Sequence, residues 1–174
     1  MSIKFENEIP FVEEQNLLEL ANSIQTPFYV YSQKDITDTY LNLKNVIKKD
    51  IYFSIKANSN QAIIALLNSL GAGADIVSIE EMHRALMAGV NPEKIIFEGV
   101  GKSNSDLTDA INTNIRQINV ESIEELNQVN IIAKYLKKKP RIGLRLNPDI
   151  DANTLDNIST GRKADKFGID FIQL

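Results

Sequence analysis

IYFSIKANSNQAIIALLNSLGAGADIVSIE, residues 51–80, holds one whole unit of the pattern that decides the fold. A short apolar run from Ile51 passes through Asn58-Ser59-Asn60 into an amphipathic stretch, Gln61 to Leu70. Gly71 then stands where a helix should end, and a second apolar run begins at Ala74. Further runs start at Ile95, Ile115 and Arg141, so successive starts lie 23, 21, 20 and 26 residues apart. Ile79 to Ala88, Asp106 to Asn112 and Ser122 to Lys138 read as the intervening helices. Gly89 and the Ser122–Glu125 capping box punctuate them. This is the period of a βα unit, and the near-continuous apolar runs predict parallel strands buried on both faces.

Repeated βα units permit a (β/α)8 barrel or a doubly wound open sheet. The open sheet carries a glycine-rich turn after its first strand, whereas here the first strand leads into KANSNQ, residues 56–61. The pattern therefore favours the α/β class and a partial (β/α)8 TIM barrel. A complete barrel takes about 250 residues. The 174 residues supply about five of eight units and reach DFIQL (170–174), where another element would begin.

Upstream, Leu17, Leu18, Leu20, Ala21 and Ile24 give Phe11 to Ile24 a helical spacing, which Thr26-Pro27 breaks. FYVYS (28–32) predicts a short strand, and Ser32 can cap a helix running to about Lys49. Residues 1–27 thus read as an extension with a short helix, and 28–174 as the incomplete barrel.

A net charge of −4 argues against nucleic acid as a partner. Lys137, Lys138 and Lys139 end a predicted helix, where cations suit the dipole. The absence of cysteine excludes thiolate metal sites within these residues, and no other metal-binding pattern stands out. No apolar stretch approaches the ~18 residues of a membrane span, and the acidic opening MSIKFENEIPFVEE lacks a signal-peptide core. A cytoplasmic protein is expected.

Lys56 falls at the carboxyl end of the first barrel strand, the face where barrel enzymes assemble their sites. An apolar strand aimed at its end would partly desolvate the amine and favour it as a Schiff-base nucleophile; a lysine snorkelling to solvent is the alternative. FSIKANSN (53–60) resembles the YxxKAN segment of barrel-type pyridoxal-phosphate enzymes, a group of amino-acid decarboxylases and alanine racemase. GAGADIVSIEEMHRALMAGV (71–90), FEGVGKS (97–103), INVES (118–122), RLNPDIDA (145–152) and ISTGRKADKFGI (158–169) continue the resemblance in order, and the last three point to the diaminopimelate decarboxylases.

That resemblance implies pyridoxal 5'-phosphate as cofactor, carried by Lys56, with Asp75, Glu81 and Arg145 lining or supporting it. It also implies decarboxylation of an amino-acid substrate, meso-2,6-diaminopimelate, to L-lysine by a homodimer. Ornithine, arginine or lysine decarboxylases and non-catalytic pyridoxal-phosphate proteins are the alternatives. Segment 151–166 resembles a lid, although Leu155 stands where relatives usually have histidine. A later stacking histidine, a glycine-rich phosphate loop, an acid for the pyridine nitrogen and a C-terminal β-domain are implied but absent before Leu174. The 174-residue chain alone is therefore expected to bind cofactor poorly and to be inactive. His83, mid-helix, reads as structural or solvated. GVGKS (99–103) ends like a P-loop, but Ile96 occupies the position of its first glycine.

Overall fold

The computed structural model describes residues 3–150, 160–161 and 167–170. The chain divides into two compact units, one up to Asp50 and one from Ile51 onward. That boundary follows a helix that the division at residue 27 assigned to the barrel.

In the first unit, β1 (Ile3–Glu6) and β2 (Ile9–Val12) pair antiparallel, and β3 (Gln15–Asn16) adds to β2. Asn7 and Glu8 both take positive φ, 50° and 68°, which matches the twist of a two-residue hairpin. Phe11 lies opposite Lys4 within this sheet, so the helix expected from Phe11 is shorter: α1 spans Leu17–Ser23. Asn16 starts it, its Oδ1 accepting from the N–H groups of Leu18 and Glu19 at 2.9 and 3.3 Å. Phe28–Ser32, expected as a strand, is assigned none; its side chains alternate between half-buried and exposed, but it pairs with no strand among the described residues. The helix α2 (Gln33–Ile47) begins as expected, with Ser32 Oγ accepting from Asp35 N–H at 2.9 Å.

The second unit carries five parallel strands: β4 (Tyr52–Ser54), β5 (Gly73–Ile76), β6 (Ile95–Phe97), β7 (Gln117–Val120) and β8 (Ile142–Leu144). They lie side by side in sequence order. The connecting helices are α3 (Gln61–Ser69), α4 (Ile79–Met87), α5 (Asn104–Thr113) and α6 (Ile123–Leu136). Crossovers between parallel strands are right-handed, so unbroken order puts every helix on one face. A doubly wound sheet would reverse direction and be covered on both faces. The sheet is singly wound, as in a partial barrel.

One face of the sheet packs on those helices: Ile76, Ile95, Phe97, Ile118 and Val120 of β5 to β7, and Ile55 just after β4, are fully buried beside Met82, Leu107 and Val129, with Phe53 and Ile142 partly buried at the flanks. The expectation of strands apolar on both faces is corrected here. The other face presents Tyr52, Ser54, Asp75, Glu98, Gln117 and Asn119, all only half-buried. The stretch RIGLRLN divides at Arg145 into β8 and β9 (Leu146–Asn147), and β9 pairs in parallel with β10 (Ile169–Asp170). Among the described residues, no helix is long and apolar enough to cross a membrane.

Candidate active site

The carboxyl ends of the five strands open onto a cavity of about 650 Å³. Lys56, Asp75, Glu98, Asn119 and Arg145 line it, with Thr160 and Phe167 across from them in sequence. Lys56 follows β4 in a single 3-10 turn, Ile55–Ala57, whose Ile55 is fully buried and whose Asn58 N–H returns to Ile55 C=O at 3.0 Å. The turn is thus pinned by an apolar side chain while its neighbour faces outward. Lys56 itself is exposed, so the desolvation expected from an apolar strand end is not provided by the residues described.

Asp75, on β5, stands opposite Ser54 in register and accepts a hydrogen bond from its hydroxyl through Oδ2. Its Oδ1 is buried with no hydrogen-bond partner among the described residues. An orphaned carboxylate oxygen is costly, which marks Asp75 as a group awaiting a donor. Next to it a polar ladder crosses the sheet: Gln117 Nε2 donates to Asn119 Oδ1 at 2.6 Å, and Asn119 Nδ2 donates to Glu98 Oε1. Gly143 makes room for that ladder, since a Cβ there would lie 2.0 Å from Asn119 Oδ1.

Arg145 leaves the end of β8 with its guanidinium 4.8 Å from the Phe167 ring centre. Its Nη1 donates to both carboxylate oxygens of Glu121, at 2.9 and 3.2 Å. Glu121 immediately follows β7 and escaped the sequence reading, although it lies inside the INVES segment. A strand-end acid reads as an ordinary helix cap until its distant partners are known.

Glu81 does not line the cavity. Its carboxylate accepts from Val77 N–H at 2.8 Å, while Ser78 Oγ accepts from Glu81 N–H at 3.3 Å, so it starts α4. Lys102 of the GVGKS segment is also occupied: Nζ donates to Gly99 C=O, Asn119 C=O and Glu125 at 2.6, 2.8 and 2.8 Å, and the side chain is 1% exposed. All three of its donors are spent within the chain, which leaves none for a phosphate. His83 is exposed on α4. Leu155 and most of segment 151–166 lie outside the described residues; Thr160 and Gly161 are the exceptions, and Gly161 C=O accepts from Ile150 N–H at 2.8 Å.

The donor set fits pyridoxal phosphate. An exposed amine meets the need for a nucleophile toward its aldehyde, a guanidinium suits an anionic group, and the orphaned Asp75 Oδ1 can accept from a donor brought in.

Residues 33–174 match the family described as pyridoxal-dependent decarboxylase, pyridoxal binding domain. The chain is similar to the diaminopimelate decarboxylase of Helicobacter pylori, with 48% identity over 158 residues, covering 89% of this chain and 39% of that protein. Against the Aquifex aeolicus diaminopimelate decarboxylase the identity is 45% over 161 residues, covering 92% and 38%. The crystal structure of the M. jannaschii diaminopimelate decarboxylase in co-complex with L-lysine superposes with a TM-score of 0.89 at 34% identity, covering 99% of this chain and 42% of that one. The chain thus spans about two fifths of the length of these relatives.

Proposed function

The chain belongs to the pyridoxal-dependent decarboxylases through their pyridoxal-binding domain, and from that premise we propose that it forms the cofactor-carrying part of a diaminopimelate decarboxylase. The convergence of Lys56, Asp75 and Arg145 on one strand-end cavity carries this reading. Pyridoxal phosphate, when bound, supplies an electron-withdrawing ring able to accept the electron pair left when a carboxylate departs as carbon dioxide.

The chain's own residues hold the reactants. Lys56 Nζ is the amine that anchors the cofactor, held at the rim by the turn over Ile55. Arg145 offers charge-assisted donors at the cavity wall, and its Nη1 is fixed by Glu121. Asp75, steadied by Ser54, presents Oδ1 as an acceptor. Glu98, tied to Asn119, adds a second carboxylate to the wall. Glu81 supports the site from behind by ordering the turn after Asp75 rather than by touching its occupant.

The substrate is meso-2,6-diaminopimelate and the products are L-lysine and carbon dioxide, by analogy with relatives 45–48% identical. The same proposal includes a homodimeric, cytoplasmic complete product, to be checked by sedimentation and cell fractionation. The deciding test is reductive trapping: the complete gene product is incubated with pyridoxal phosphate, reduced with borohydride, digested and mapped by mass spectrometry. Label on the peptide containing Lys56, lost in Lys56→Ala, is the expected result. Label scattered over surface lysines would defeat the reading. Carbon dioxide release from ornithine, arginine or lysine in preference to meso-diaminopimelate would overturn the substrate alone.

A further inference from the structure

Two helices begin with the same four residues: Ser78-Ile79-Glu80-Glu81 opens α4 and Ser122-Ile123-Glu124-Glu125 opens α6. In both, the serine hydroxyl accepts from the N–H of the second glutamate. That glutamate's carboxylate in turn accepts from the N–H just before the serine, at 2.8 Å for Val77 and 3.3 Å for Glu121. The turns differ at this preceding residue. Val77 forms cavity wall. Glu121 places a carboxylate behind the wall, with its side chain 3% exposed.

Packing alone would be served by valine at both positions. Burying a carboxylate is unfavourable unless donors surround it, and here they come from three separate segments. Oε1 accepts from Gly99 N–H at 3.1 Å and Arg145 Nη1 at 2.9 Å. Oε2 accepts from Gly168 N–H at 3.2 Å, besides Nη1. Gly99 and Gly168 have φ of +94° and +80°, backbone that side chains rarely allow. A Cβ on Gly168 would also lie 2.9 Å from Asn147 N. Gly99 and Arg145 line the cavity, and Gly168 follows the lining Phe167.

We propose that Glu121 is a positioning residue for the pyridoxal-phosphate site: without reaching the cavity, it holds the Arg145 guanidinium, while the Gly99 and Gly168 N–H groups offset the cost of burying its charge. The inference rests on the functional reading above. It predicts that Glu121 acts on cofactor binding through Arg145, so that its effect vanishes once Arg145 is gone.

A double-mutant cycle tests this, with the complete gene product and pyridoxal phosphate titrated by its visible absorbance. Glu121→Gln should weaken binding by about tenfold, as loss of a charged hydrogen bond behind a ligand does. Arg145→Ala should weaken it at least as much, and the double variant no further than Arg145→Ala. Glu121→Asp, which keeps the charge on a shorter arm, should bind between wild type and Glu121→Gln. If Glu121→Gln does not give the wild-type circular dichroism spectrum, the cycle is run with Glu121→Asp. Additive losses would overturn the proposal, while Lys56 trapping in the wild type left the functional reading standing. Scattered label in the wild type would remove both.

Discussion

Gly143 has no room for a side chain unless the polar ladder beside it moves. A methyl group there would lie 2.0 Å from Asn119 Oδ1 and 2.6 Å from Gln117 Nε2, breaking the ladder that reaches Glu98. Gly143→Ala should therefore destabilise the second unit by about 1–3 kcal/mol, the usual range for overpacking, measured by urea denaturation. The effect should shrink when Asn119→Ser is added, because the clashing side chain is then shorter. Single residues also mark the limit of what the sequence made legible. The place of Lys56 at a strand end was readable as a local property, but position left a solvent-facing lysine open and only the surrounding words pointed to a cofactor role. Asp75 and Arg145, which line the cavity, were picked out only as parts of ordered words. Glu121 was hidden, since its partners Gly99, Arg145 and Gly168 lie 22, 24 and 47 residues away and only the fold assembles them.

Among the elements, the paired turns give a controlled comparison. Glu81 accepts one backbone N–H, so Glu81→Ala should cost about 1 kcal/mol, the worth of one hydrogen bond. Glu125 also pairs with Lys102, whose side chain is 1% exposed. Glu125→Ala strands that buried cation and should cost about 3 kcal/mol or more by denaturant titration. Equal costs at the two positions would mean that the ion pair contributes nothing beyond the cap. The start of α2 provides a pH test. Lys34 N–H and the Ser32 hydroxyl both donate to Glu13 Oε1, at 2.8 Å each. The backbone hydrogen bond from Lys34, then that from Ser32, holds the Glu13 carboxyl below the usual carboxylate range. A lowered folded value means that the contribution is fully present above the ordinary glutamate value, and is lost as pH falls through the lowered one. Amide exchange in the first turn of α2 should quicken over that acid window in the wild type and lose this pH dependence in Glu13→Gln. The βα alternation of the second unit was legible because strand and helix periods switch cleanly every 20 or so residues. The first hairpin was not, because its turn is Asn7-Glu8, without the glycine that usually announces positive φ.

At the scale of the molecule, sequential strand order has a physical consequence for the 174-residue polypeptide. Among the described residues, β4 pairs only with β5 and β8 only with β7, while β10 joins the chain just past β8, through Arg145 C=O and β9, so the edges left open are β4 and the β8 residues themselves. Beside β8, a cavity of about 760 Å³ runs along α6, its floor made by Leu126, Val129, Ala133 and Ile142 and its rim by Asn127, Asn130 and four lysines, Lys134 and Lys137 to Lys139. On the same helix Ile131 and Tyr135 are 60% and 86% exposed. Edges and apolar surface together favour self-association, whereas the polar face of Ser54, Asp75, Glu98 and Asn119 opposes it. The strand edges and the exposed Ile131 and Tyr135 are the larger liability, because the lysines at the rim of the groove repel one another between copies. The isolated polypeptide should therefore enhance anilinonaphthalene sulfonate fluorescence and form larger species as its concentration rises in light scattering. The complete gene product should do neither at the same concentration. Cofactor affinity should follow the same division. Ligand sites bury most of their occupant, whereas here Lys56 is exposed and the sheet walls the cavity from one side. Titrated in parallel, the 174-residue polypeptide should bind pyridoxal phosphate at least about tenfold more weakly than the complete product, a difference of about 1.4 kcal/mol. Equal affinities would show that the five strand ends alone make the whole binding site, and that the edges of this sheet lie outside it.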